Sequence, residues 1–325
     1  MYYAPVIIPT LCRFDHFKEC MESLARNTWA KDTEIYIGLD YPSKEAHREG
    51  YDKICKYLEE TKFPFKEVNI FKRERNFGVY KNVEDLAAAV RKKHDRYIFT
   101  EDDNVFADRF IEYVDTMLEQ TKDRDDIYGV CGYSYPIDHS AYESGNANDN
   151  ENDNEKSGYS YMVRTAFPAW GYGGFFHKRD KLMSEYTHEF LINGIRKGVN
   201  HKLIKSLGKI YGGWFVNRAC GKEITYDDID VQLYQTLTGK MSIMPHKTLV
   251  KNMGWDGSGV NCQTGSYDFS SQELYVGEIS DRILPQDDNR EKEIWKFISG
   301  LNSLDTITDL KIKIKYILIK LGIKR

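Results

Sequence analysis

Three consecutive carboxylates, Glu101-Asp102-Asp103, directly follow the apolar run Tyr97 to Thr100. A short apolar run closed by acids places those acids at the carboxyl edge of an open α/β sheet, where such sheets bind ligands. Carboxylates clustered there repel one another unless a cation intervenes, and hard divalent ions take oxygen ligands of this kind. Magnesium or manganese is the expected ion, and it would also grip a diphosphate. The competing explanation is that Asp102 and Asp103 simply open the next helix, where acidic side chains favour the positive end of the macrodipole.

The same edge collects other polar groups. Pro9-Thr10-Leu11-Cys12-Arg13 follows the first apolar run, Ala4 to Pro9, and Asp40 closes the second, Ile35 to Leu39. Arginine offers a fork of donors to a phosphate or a base carbonyl, and an aspartate accepts the imide N–H of uracil. Each residue alone reads as a cap or a surface ion pair; their joint arrival at successive strand ends is the signal. Farther on, Tyr226-Asp227-Asp228-Ile229-Asp230 stands ahead of Ile229, Leu233 and Leu237, which share a helix face. N-capping explains one of these aspartates but not all of them, because like charges within one turn cost stability.

The elements that must position these residues alternate. After the first strand, Phe17, Cys20, Met21 and Leu24 recur at helical spacing, and a polar helix around Lys44 to Glu60 leads to a strand at Val68 to Phe71. Val83, Leu86, Ala87 and Val90 mark another helix, then come the strand Tyr97 to Thr100, a helix carrying Phe110, Val114, Met117 and Leu118, and a strand from Ile127 to Tyr133. Such alternation predicts an α/β fold with a mostly parallel, doubly wound sheet and helices on both faces. The stretch Ser144 to Ser157, rich in Asn, Asp and Glu, has nothing to bury and is expected to be a loop.

Bulk properties narrow the classes. The 325 residues suffice for one large α/β domain. Lysine plus arginine total 46 against 50 acidic residues, and the net charge of -4 gives no global attraction to nucleic acid. Cys12, Cys20, Cys55, Cys131, Cys220 and Cys262 are too widely spaced for a zinc or redox pair and are expected as reduced thiols. No stretch approaches the roughly 18 apolar residues of a spanning helix, and Met-Tyr-Tyr-Ala-Pro lacks the basic-then-apolar pattern of a leader. The expected location is cytoplasmic. From Asp309 to Arg325 the chain is apolar and basic; as a helix it gathers Leu310, Ile314, Ile317, Leu318 and Leu321 on one side, a pattern suited to the anionic inner face of a membrane. Lysine-isoleucine alternation also suits an edge strand, and packing on the protein body is a third option.

Together these residues resemble a known family. Ile7-Ile8-Pro9-Thr10 with Arg13, Asp40, the segment Arg75-Asn76-Phe77-Gly78-Val79-Tyr80-Lys81-Asn82 and Glu101-Asp102-Asp103 are similar to the nucleotide-binding half of GT-A glycosyltransferases. The likeness is to bacterial polysaccharide transferases of family 2 and to the eukaryotic N-acetylglucosaminyltransferase that initiates complex N-glycans. It implies that Asp103, with Glu101 beside it, holds the metal, and that Pro9, Thr10, Arg13, Asp40, Arg75, Gly78, Lys81 and Asp102 bind the nucleotide. Phe167 to Gly174 is similar to the segment lining the sugar pocket, which implies roles there for Trp170, Gly171, Tyr172 and Gly173. Lys251 to Gly259 resembles a loop that closes over the donor and adds Trp255 and Asp256. Some relatives carry a histidine shortly after this glycine pair; here Val260-Asn261-Cys262 stands instead, leaving His246 as a substitute ligand. In inverting members an aspartate at a helix start is the general base, and the best match is Asp228, flanked by Asp227 and Asp230. An acceptor hydroxyl must lose its proton as it attacks, and a positioned carboxylate can take it.

The resemblance implies a nucleotide-sugar half at 1–135, an acidic loop at 136–160, an acceptor half at 161–270 and a C-terminal extension at 271–325. The implied partners are a nucleotide diphosphate sugar, a UDP-sugar by the match at Asp40, and a glycan or lipid-linked glycan acceptor. An aromatic content of 14% suits sugar stacking, although ordinary core rings account for it equally well. Two rivals stand. A sugar nucleotidyltransferase usually has a glycine-rich loop with a lysine after its first strand, and Pro9 to Asp15 contains neither. A carbohydrate-binding protein would keep the sheet without turnover.

Overall fold

The computed structural model describes residues 2–142, 157–197, 208–257, 267–301 and 305–323. The first half runs β1 (Val6–Thr10), α1 (Phe14–Ala25), β2 (Glu34–Leu39), α2 (Arg48–Glu60), β3 (Glu67–Lys72), α3 (Val79–Val90), β4 (Arg96–Phe99), β5 (Asn104–Phe106), α4 (Phe110–Thr121) and β6 (Ile127–Cys131). The second half adds β7 (Ser157–Val163), β8 (Tyr172–Phe175), α5 (Phe176–Glu185), α6 (His188–Arg196), α7 (Gly208–Ala219), α8 (Asp228–Thr238), β9 (Met241–Pro245), β10 (Val250–Asn252), β11 (Glu278–Leu284), α9 (Asp288–Leu301) and α10 (Thr306–Lys320).

Strands β1 and β2 are buried along their whole length, because helices cover both faces of the sheet and parallel strands so enclosed read as continuous apolar runs. On one face Val6 and Ile8 pack with Phe17 and Leu24 of α1, Ile54 of α2 and Val114 of α4. On the other, Ile7 meets Leu86 and Val90 of α3. The period-two alternation of Val6, Ile7 and Ile8 thus feeds two cores.

The main sheet has nine strands in the order β11-β7-β9-β6-β8-β4-β1-β2-β3. Strands β3, β2, β1 and β4 are mutually parallel, β8 runs antiparallel to both β4 and β6, β9 is parallel to β6, and β7 with β11 is reversed at the far edge. It is the expected mostly parallel α/β sheet, with a reversed strand at its centre. A separate antiparallel ribbon pairs β5 with β10, Asn104 opposite Asn252.

One expectation changes. Residues 136–160 are not all loop, because Ser157 begins β7; the acid-rich residues 143–156 lie outside the described residues. The C-terminal extension, 271–325, adds β11 to the main sheet beside β7. Its tail is a helix rather than an edge strand.

Candidate active site

The parallel strands β1, β2 and β4 deliver Thr10, Asp40 and the acidic triplet to one edge of the sheet. Asp102 and Asp103 do not open a helix, since β5 follows them directly. Both are buried. Thr10 Oγ1 donates to Asp102 Oδ2 at 2.8 Å, Arg13 pairs with Asp102 Oδ1, and the other arm of the same guanidinium reaches Asp103 Oδ2 at 2.8 Å. The cation that the clustered carboxylates require is therefore, in this structure, Arg13. Burial opposes its charge, yet Asp102 and Asp103 together raise its pKa. Burial also raises Asp102, against the pull of Arg13.

Asp103 is held from the other side by the β5–β10 ribbon. Asn252 Nδ2 donates to Asp103 Oδ1 and to Asn104 Oδ1, each at 3.0 Å, and Asn252 Oδ1 accepts from Gly254 N–H at 3.1 Å. A Cβ at Gly254 would collide with Asp103 Oδ2, so only glycine lets this loop lie against the carboxylate. Glu101 is the member of the triplet that faces solvent. Desolvation by the protein around it, then the charges of Asp103, Asp228 and Asp102, push its pKa up to about 8.

The three aspartates at the start of α8 divide their work. Asp227 caps the helix, accepting from Asp230 N–H at 3.0 Å, and pairs with Arg218 at 3.2 Å. Asp230 is fully buried; it accepts from Arg218 Nε at 3.0 Å, Tyr186 at 3.2 Å and the N–H groups of Thr225 and Tyr226 at 2.9 Å. Asp227 and Asp230, expected in the catalytic group, are thus a clamp around Arg218. Tyr226, just ahead of them, adopts a left-handed φ of 54°, a strained conformation for a tyrosine that its N–H bond to Asp230 helps hold in place. Asp228 alone points to solvent in the cleft, with Oδ1 accepting Ile229 N–H at 2.9 Å. Burial and the neighbouring charge of Asp227 push its pKa up to about 7. Burial first, with a contribution from the charge of Asp228, raises the phenols of Tyr135 and Tyr211. Arg218 and Tyr135 were not found from the sequence: Arg218 sits on α7, one ordinary helical arginine among many, and Tyr135 lies in no motif.

Asp40 is buried and engaged. Its Oδ1 accepts from Tyr41 N–H at 2.9 Å and Phe77 N–H at 2.7 Å, and its Oδ2 from Gly78 N–H at 2.9 Å and Asn76 Nδ2 at 3.2 Å. With these donors occupying its lone pairs, it shapes the Arg75–Gly78 turn rather than presenting a free acceptor. That turn displays Phe77, with Arg75 at 6.0 Å and Lys81 at 4.7 Å from its ring centre. Arg75 and Lys81 are both exposed and bring positive charge to this turn. Pro9 lies within β1, in register with Gly38 of β2.

Trp170 and Trp255 come together, ring centres 6.5 Å apart, in an aromatic group with Phe269 and Tyr133. Asp256, one residue on, meets His16 at 3.1 Å. Gly171, with a φ of 66°, gives its carbonyl to Gly132 N–H at 2.7 Å. Gly173 is a correction: it lies in β8, where a side chain would collide with Val114 of α4, so it spaces the sheet from the helix instead of lining a pocket. Tyr172 packs its ring against Tyr97, Phe99 and Phe167. His246 is a second correction; it stacks on Tyr159 at 4.5 Å and bonds to its backbone, and burial lowers its pKa to about 4, with no contact to the triplet. Among the described residues no three His, Cys, Asp or Glu converge as a ready-made metal cage.

No protein-family model matches the chain, and no curated protein matches it. Among solved structures, S. aureus TarS 1–349 in complex with UDP-GlcNAc aligns with a TM-score of 0.30 and 17% identity, covering 42% of this chain and 37% of that one. A second crystal structure of TarS 1–349 gives 0.29 and 15% over 37% and 33%. The apo form of mouse xyloside xylosyltransferase 1 gives 0.25 and 12% over 40% and 53%. The chain therefore spans between 33% and 53% of the length of these structures. Likeness at this level assigns neither activity nor substrate.

Proposed function

We propose that this chain is an inverting, metal-dependent glycosyltransferase of the GT-A type. It moves a hexosyl or N-acetylhexosaminyl group from a UDP-sugar to a carbohydrate or lipid-linked glycan. The observation that carries this reading is that Asp228, left outside the Arg218 clamp, lies near enough to Glu101, at the carboxyl edge of the sheet, for its charge to help raise that carboxyl's pKa. Asp228 takes the proton of the acceptor hydroxyl as its oxygen bonds to the anomeric carbon and the bond to the diphosphate breaks. Charge then develops on the diphosphate, near Arg13, Arg75 and Lys81, and preorganised positive groups stabilise it. Tyr135 and Tyr211 supply rings for the sugar to stack on.

A divalent cation suits Glu101 and Asp103, because magnesium and manganese are held by one or two carboxylates completed by substrate phosphates and water, not by a full protein cage. When bound, such an ion neutralises the leaving diphosphate. To use Asp103 it has to compete with Arg13, which now holds that carboxylate.

The test is a panel of nucleotide sugars with and without manganese, read as thermal shift and as UDP release with added glycan acceptors. One UDP-sugar is expected to raise the melting temperature by mass action and to release UDP only when an acceptor hydroxyl is present. A nucleotide sugar made from a sugar phosphate and UTP would point to a nucleotidyltransferase instead. Binding without any UDP release would leave only a carbohydrate-binding protein.

A further inference from the structure

Helix α10 is apolar on two opposite faces. Ile312 and Ile319 are buried as the helix packs on α6 and α7, and Asp305 caps its start by accepting from the N–H groups of Ile307 and Thr308. The outer face carries Ile307, Leu310, Ile314, Ile317 and Leu321, which are between 50% and 67% exposed. Spacings of three and four residues line these five side chains along one stripe, half a turn away from Ile312 and Ile319. A continuous apolar stripe on a folded surface marks a contact site, whereas scattered single residues do not.

The borders of the stripe identify what covers it. Lys311 flanks one side, and Lys313 and Lys320 flank the other; all three are exposed, Lys313 pairing with Asp309 at 2.8 Å. Lys315, farther round, is tied to Asn217 at 2.8 Å. The spacing is that of a coiled-coil seam, so a second copy is the obvious competitor. Asp309, however, is the one acidic residue within the helix and is already paired with Lys313, so Lys311 and Lys320 would find no free carboxylate on an identical helix, and an antiparallel arrangement would set lysine against lysine. A bilayer with anionic headgroups satisfies both features. The aliphatic side chains enter the acyl boundary while the lysine stems run upward to the phosphates. With 15 residues the helix lies on such a surface rather than crossing it, and among the described residues no helix is long and apolar enough to cross.

We propose that α10 docks the protein on an anionic membrane surface through Ile307, Leu310, Ile314, Ile317 and Leu321, with Lys311, Lys313 and Lys320 on the headgroups. This stands independently of the proposed transfer reaction. The full chain is sedimented with vesicles of phosphatidylglycerol and phosphatidylcholine, and with phosphatidylcholine alone. Binding is expected on the anionic vesicles only, weakening as salt screens the lysines. The double variant Ile314→Glu/Ile317→Glu alters two half-exposed positions and is expected to lose binding about tenfold or more with an unchanged circular dichroism spectrum. Lys311→Glu/Lys320→Glu, which leaves the apolar stripe intact, is expected to lose it as well. Absent binding, equal binding to neutral vesicles, or wild-type binding by either variant would overturn the proposal. So would a dimer in light scattering that the isoleucine variant abolishes, since the stripe would then belong to a second copy.

Discussion

Asp228→Asn removes the proposed base while keeping the side chain's size and its acceptor for Ile229 N–H. In the native fold, burial first and the charge of Asp227 second raise Asp228 from 3.8 to about 7. Only the ionised carboxylate takes a proton from the acceptor. At pH 6 about one molecule in ten is therefore competent, and at pH 8 about nine in ten. The quantity to follow is kcat/KM for the acceptor, which reports the free enzyme. It is expected to climb about tenfold per pH unit below 7 and to level off above 8. Asparagine accepts no proton at any pH, so the variant is expected to lose roughly 10²- to 10⁴-fold, about 3–5 kcal/mol of transition-state stabilisation, together with the rising limb. UDP binding by thermal shift should be unchanged, because Asp228 stands on α8 and not on the nucleotide edge. A variant within about threefold of wild type, or a wild-type profile flat across this range, would refute the assignment of Asp228.

Arg13→Met strips the buried Asp102 and Asp103 of their counter-charge. It is expected to cost about 3 kcal/mol, with manganese restoring more of the melting temperature in the variant than in wild type by calorimetry. Gly254→Ala drives a methyl into Asp103 Oδ2 and is expected to weaken UDP binding about tenfold or more, measured by titration, with the fold retained. Asp115, buried on α4, accepts Ala4 N–H at 3.0 Å on Oδ1 while Oδ2 has no partner, and burial raises its pKa to about 7. Because the folded value lies above the unfolded one, its protonated form stabilises the fold fully below about pH 4, and that contribution is lost as pH rises through 7, at most about 4 kcal/mol. Asp115→Asn should accordingly flatten the fall of melting temperature between pH 5 and 8; an unchanged slope would contradict this.

The first half of the fold was legible because β1 and β2 are enclosed on both faces, so Ala4 to Pro9 and Ile35 to Leu39 read as apolar runs, and α1 and α3 each show one apolar face. Strand β8 was not. Tyr172-Gly173-Gly174-Phe175 looks like a pocket-lining loop, and only contact with Val114 of α4 explains why glycine is needed inside a central strand. Strands β5 and β10, three residues each, carry no periodicity to detect. At the site, Asp40 and the triplet were visible because each follows an apolar run, and the acids of α8 because they precede an apolar helix face. Their protonation and pairing were not, because these depend on groups distant in sequence: Arg13 on the triplet, Asn252 on Asp103, Arg218 on Asp227 and Asp230. The sequence showed three acids at the start of α8, but which of them is free is decided by an arginine on a different helix.

The most direct measurement is a crystal structure of the protein with UDP and manganese bound. The diphosphate is expected beside Asp103 and Glu101, with the ion between them and Arg13 drawn off Asp103 toward the phosphates. A nucleotide bound elsewhere, with Arg13 still holding both aspartates and no ion at Glu101, would contradict the assignment of this cleft as the transfer site.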